Sequence, residues 1–209
     1  MEHGRIILDN GVDQFTLLAN AADPGAVLDV TRLDLRRLPP DVKASLYSEA
    51  NIFKVQHLRT SADITVNKAV AFIAPELRTA GNISATHAEL FEIPQLQAAG
   101  NIFATSAGEF VARELVAAGD IDAFAATNFE AQSLQTAGCI NAYFTKCFRA
   151  LQIRECRMLR VPGVRIFVAP ELRRASAVDA LSAEWIIAPL LDPERVFAPE
   201  TSFSLPAAR

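Results

Sequence analysis

The chain is predicted to be all-β, a single-stack, right-handed β-solenoid of about ten 19-residue coils with irregular end caps. Three observations predict it. An Ala-Gly pair recurs at Ala80-Gly81, Ala99-Gly100, Ala118-Gly119 and Ala137-Gly138, each step being 19 residues. At the same offset a phenylalanine column runs through Phe53, Phe72, Phe91, Phe110, Phe129, Phe148 and Phe167 and continues as Ile186. With 13 Phe in 209 residues, chance would place only about 0.4 of them on those seven positions. Within each unit, apolar residues alternate with polar ones, as in a strand with one buried face.

Further columns keep the same period. Leu58, Leu77, Leu96, Leu115, Leu134, Ile153, Leu172 and Leu191 form one, and Ile64, Ile83, Ile102, Ile121, Ile140, Leu159 and Val178 another. Alanine fills three more, through Ala80, Ala85 and Ala112 and their equivalents, giving L-x-x-A-G-x-I-x-A-x-x-A-x-x-F-x-A-P-x. A continuous helix is excluded, because 19 residues overshoot five helical turns by about 100° and would carry the Phe column around the axis. Two packed helices do not fit either, since helical repeats need about 33 residues.

Each coil is expected to hold two short strands, one around I-x-A and one around F-x-A. The Ala-Gly pair is read as a corner where glycine tolerates positive φ, and Pro75, Pro94, Pro170 and Pro189 as a second, stiffened corner. Coils stacked about 4.8 Å apart make a rod near 45–50 Å long, with Phe, Leu and Ile as interior ladders. Residues 1–38 keep only an echo of the pattern and are read as an N-terminal cap, 39–190 as regular coils and 191–209 as a proline-bearing C-terminal cap, all in one domain. Residues 40–50 fit either a short helix with proline in its first turn or another coil. Between Arg154 and Arg165 the glycine becomes Arg157 and one alanine becomes Cys156, yet the period survives to Phe167.

Composition narrows the partners. Twenty basic and 24 acidic residues leave a net charge of −4, no footprint for nucleic acid or an anionic membrane. The segment Met1 to Asp9 lacks a secretory apolar core, and no stretch reaches the 18 or so apolar residues of a membrane span. A cytoplasmic location is expected, with export by a specialised secretion system as the alternative. Cys139, Cys147 and Cys156 are read as free thiols, and no cofactor is expected. Alanine and arginine richness points to a high-GC bacterial source.

No catalytic constellation emerges. His3, His57 and His87 occupy different phases of the repeat, so stacking does not gather them into a metal site. Asp120 and Asp122, two residues apart, are the best carboxylate pair for a glycan-cleaving solenoid, with a solvated surface pair as the rival reading. Ser106, Ser133, Ser176 and Ser182 lack a G-x-S-x-G context, and no glycine spacing is followed by the Lys-Ser/Thr of a phosphate loop. Arg59, Arg78, Arg154 and Arg173 share a phase, interrupted by Gln97, Val116 and Gln135, and read as a solvated edge. The outward aromatics stand apart. Phe103 shares a phase with Asp122, and Phe124 with Tyr143, so together with Phe144 they should gather on one wall as an interface for a protein partner.

The A-x-x-F-x-A-P-x-L-x-x-A-G-x-I units resemble the leucine-rich-like β-solenoid repeats of bacterial surface and effector proteins, over about residues 53–190. They depart from ordinary leucine-rich repeats in their length of 19 and in having no Asn ladder position. Pentapeptide repeats are a weaker match, because strict five-residue spacing is absent. The resemblance implies a solenoid and a tendency to bind macromolecules. The expected function is a non-enzymatic scaffold that binds another protein through a flat face, as a monomer or weak end-to-end oligomer. The alternatives are a self-assembling structural solenoid and, behind it, an enzyme acting on polysaccharide.

Overall fold

The computed structural model describes residues 5–182, 184–190 and 196–197. Parallel strands stack as a β-solenoid of about ten turns spaced about 19 residues apart, with 6% helix. The expected all-β solenoid is therefore the observed fold. Register follows the sequence period coil after coil: Phe53 lies beside Phe72, Phe72 beside Phe91, and so on to Phe167 beside Ile186.

Three coils, between Ile52 and Phe103, carry three strands rather than the two expected, and the coils from Glu109 onward carry the expected two. The Phe face is an eight-stranded sheet running from Ile52–Lys54 to Trp185–Ile187. The Ile face is an eleven-stranded sheet that begins at Ile6–Asp9 and ends at Val196–Phe197. A short face holds Thr60–Ser61, Thr79–Ala80 and Ala98–Ala99. It escapes a period-2 reading because its strands are only two residues long. Further along, the short face and the Ile face merge into the six-residue strands Thr136–Asn141, Glu155–Arg160 and Arg174–Asp179.

The core is a set of ladders. Seven stacked phenylalanines, all buried, have ring centroids 4.5–5.2 Å apart and interplanar angles of 2–22°. Each offset-stacked pair adds about 0.5–1.5 kcal/mol beyond its apolar burial. The Leu column from Leu58 to Leu172 and the Ile column from Ile64 to Val178 are buried beside them, with alanines where the walls approach closely. Leu191 lies outside the described residues.

The corners correct the sequence reading. Among the described glycines only Gly163 has positive φ, at 70°, so the Ala-Gly corner does not require left-handed backbone. Glycine is needed there for space. A Cβ at Gly81, Gly100, Gly119 or Gly138 would meet the side-chain oxygen of Asp63, Asn82, Asn101 or Asp120 at 2.4, 2.8, 2.4 and 2.3 Å. Those four residues form an Asn/Asp ladder, contrary to the expectation of none. Each presents its oxygen to the next coil: Asn82 N–H donates to Asp63 at 2.7 Å, Asn101 to Asn82 at 2.9 Å, Asp120 to Asn101 at 2.8 Å and Cys139 to Asp120 at 2.7 Å. The bond holds the bend between the short face and the Ile face. In the merged strands Cys139, Met158 and Ala177 occupy that phase, so the ladder ends at Asp120, whose oxygen accepts from Cys139 N–H. The proline corner is as expected: Pro75, Pro94 and Pro170 sit second in turns closed by Leu77 N–H to Ala74, Leu96 to Ile93 and Leu172 to Ala169.

The N-terminal segment contains a helix the sequence reading missed. Gln14–Ala21 is capped by Asp13, whose carboxylate accepts from Thr16 N–H at 2.9 Å, and buries Leu17 and Ala21. Residues 40–50 are the coil, not the helix. Val42, Ala44, Leu46 and Ser48 are buried at alternate positions, and Ser45–Ser48 pairs with Val27–Arg32 and Ile64–Val66. A 3₁₀ turn at Leu35–Arg37 lies beside the edge strand Ile52–Lys54 and lines a groove of about 430 Å³ with it, where His57 Nε2 bonds the Leu38 carbonyl at 2.6 Å. Of the expected C-terminal cap at 191–209, only Val196–Phe197 is described, pairing with Val178 and Asp179.

Candidate functional site

The aromatic cluster sits where the Ile face turns toward the Phe face. Each coil makes this corner with a β-turn: Ala126 N–H donates to Ala123 at 3.1 Å, and Thr145 N–H to Ala142 at 3.4 Å. The third turn residue is left-handed, as a type II turn requires. Lys68, His87, Ser106, Ala125, Phe144 and Ser182 all take this conformation without being glycine, Phe144 with φ of 59°. Left-handed backbone costs an L-residue roughly 1–2 kcal/mol, and a bulky aromatic is a rare occupant. Phe144 is also 65% exposed, so no core contact offsets the strain.

Phe124, Tyr143 and Phe144 come together. Phe124 and Phe144 meet edge-to-face with centroids 5.8 Å apart, and Phe124 and Tyr143 are tilted at 6.2 Å. In the next coil Gly163 makes room for the Phe144 ring, whose Cδ1 would lie 3.2 Å from any Cβ there. Asp122 accepts from Phe124 N–H at 3.1 Å and so fixes the backbone leading into the turn. Phe103 pairs in register with Asp122 one coil away, about as exposed as Phe124. Beside them the Asn141 Oδ1 is buried and has no hydrogen-bond partner among the described residues. The sequence places Asn141 near these aromatics, on the phase of Phe103 and Asp122, but as an outward residue, without sign that its oxygen is buried.

The other candidates have local structural roles. Asp120 lies in the bend before the two-residue strand Ile121–Asp122, so the pair does not share a strand face. Its carboxylate holds Cys139 N–H and lies 3.5 Å from Arg157. His87 occupies a corner position, and His3 lies outside the described residues. In the arginine stripe, Arg59 pairs with Asp41 at 2.8 Å and Arg173 with Glu171 at 3.7 Å. Among the described residues no group of three or more His, Cys, Asp or Glu is placed to hold a metal ion, and no helix is long and apolar enough to cross a membrane.

A groove of about 540 Å³ opens on the merged strands, lined by Thr136, Glu155, Arg157, Arg174 and Ser176. Its cations have partners: Arg174 meets Glu155 at 3.1 Å, and Arg157 donates to Cys139 Sγ at 3.1 Å, which with Asp120 nearby raises the guanidinium pKa further. Cys156 is buried beside it, and burial, with a smaller contribution from Cys139, pushes its thiol up to about 12.

No known family profile, curated protein or solved structure matches the chain.

Proposed function

We propose that the chain is a non-enzymatic repeat scaffold that binds another protein through the aromatic corner of Phe103, Asp122, Phe124, Tyr143 and Phe144. Phe144 carries this reading. Its ring is held exposed at a left-handed turn position where a glycine stands one coil later, and strain offset by no burial in the core, only by a surface contact with Phe124, is a mark of function. Rigid aromatics clustered with a polar rim are the usual anchors of protein interfaces. The resemblance to leucine-rich-like bacterial repeat proteins agrees with a binding role. Asp120 and Asp122, each engaged with a backbone N–H, favour structural carboxylates over a glycan-cleaving pair.

The test compares wild type with Phe124→Ala/Tyr143→Ala and with Phe144→Gly. Partners captured by wild type from source-cell lysate are identified by mass spectrometry, and their affinities are then measured with purified proteins. Both variants should bind at least tenfold more weakly, the scale of hot-spot loss. Phe144→Gly should leave urea stability within about 0.5 kcal/mol, because relief of left-handed strain offsets the lost ring contact. Undiminished affinity in both variants would overturn the assignment.

A further inference from the structure

Charge is segregated along the stack. Residues 76–130 hold eight carboxylates and two arginines, whereas residues 131–175 hold eight cations and two carboxylates. On the Phe face, whose phenylalanines point inward, Glu92, Glu109 and Glu130 point outward from the earlier coils and Arg149 from a later one, with Lys146 and Arg165 flanking the strands. Apolar side chains stand beyond them, including Trp185 at 55% exposure.

We infer that the Phe face is a self-complementary surface on which a second copy of this chain docks with its coils stacked in the opposite order. A two-fold axis parallel to the strands, between Asn128–Glu130 and Cys147–Arg149, brings equal phases of opposite coils together. Glu130 then faces Arg149 of the second copy. One coil out, Val111 faces Val168 and Glu109 lies against Ile166, next to Arg165; a further coil out, Leu90 faces Trp185. A shallow depression of about 260 Å³, lined by Glu109, Arg113, Glu130 and Arg149 among others, lies at the centre. Like charges oppose only at the rims, Glu89 to Glu184 and, by the proline corner, Glu114 to Glu171, where Arg165 already pairs with Glu184 at 3.2 Å and Arg173 with Glu171 at 3.7 Å.

The six coils involved span roughly 29 Å by 15 Å, about 900 Å² buried in total, near the lower limit for specific association. The dimer is therefore weak and salt-sensitive. It uses a different face from the aromatic corner, so charge reversals here and aromatic truncations there fail independently.

Sedimentation equilibrium with the full chain tests the inference. Wild type should dimerise at tens of micromolar protein in about 20 mM salt and weaken at least tenfold by about 500 mM. Glu130→Arg and Arg149→Glu should each be monomeric alone, since like charges then face each other, while an equimolar mixture should dimerise again. Circular dichroism melts verify that both variants are folded, and should either unfold, Val111→Lys replaces it as a monomeric variant. A wild type monomeric at all concentrations, larger end-to-end species, a dimer indifferent to either reversal, or folded variants whose mixture stays monomeric would each overturn it.

Discussion

A methyl group added at Gly119 tests what the Ala-Gly corners are for. Gly119 has no positive φ, so alanine would fit its backbone, but the new Cβ would come within 2.4 Å of Asn101 Oδ1 and 3.2 Å of the Gly100 carbonyl oxygen. The second contact is tolerable after a shift of a few tenths of an ångström. The first displaces the oxygen that accepts from Asp120 N–H at 2.8 Å. Overpacking with the loss of that bond should cost about 1–3 kcal/mol. Asn101→Ala alone removes the acceptor and should cost about 1 kcal/mol. In the double variant the methyl enters the space the amide has left, and restriction of the unfolded chain returns about 0.4–1 kcal/mol. The pair should then be no less stable than Asn101→Ala alone, a coupling of about 1.5–2.5 kcal/mol. Urea unfolding of the four proteins measures it, with unchanged m-values showing that the comparison is sound. Additivity within 0.5 kcal/mol would sink the steric account and return the corner to a backbone explanation.

The remaining predictions concern the core. Phe110→Ala should cost about 3–5 kcal/mol, because the ring is buried and stacked between Phe91 and Phe129. Phe53→Ala, with one stacked neighbour in Phe72, should cost about 1 kcal/mol less. An equal or larger loss at Phe53 in denaturant melts would show that stacking continuity adds nothing. The raised pKa of Cys156 implies stability that is complete below the ordinary thiol pKa and is lost as pH climbs from about 9 toward 12. At pH 10 ionisation should destabilise the fold by about 1.4 kcal/mol relative to pH 7. Cys156→Ala, which restores the alanine of its column, should lack that component, and parallel pH profiles for the two proteins would refute the burial argument.

The candidate site was legible in part. Phe103 and Asp122, and likewise Phe124 and Tyr143, are neighbours because they share a phase, and the register delivers that directly. The position of Phe144 depends on a left-handed turn residue, and nothing in its side chain announces positive φ. The buried oxygen of Asn141 was equally hidden, since an amide on an outward phase reads as solvated until its neighbours close over it.

By itself the sequence determined the period, the inward columns and hence the stacked-coil fold, because a solenoid turns a constant spacing into spatial adjacency and each ladder must be apolar to be buried. Tertiary structure decided what depends on the distance between coils. Glycine at the Ala-Gly corners answers to an oxygen 19 residues earlier, and the Asn/Asp ladder was invisible because its residues bond across coils rather than within them. Packing also decided between helix and strand at both ends of the first coils. Asp13 capped a helix whose Leu17 and Ala21 could be buried, while alternation at Val42, Ala44 and Leu46 found a neighbouring strand to pair with.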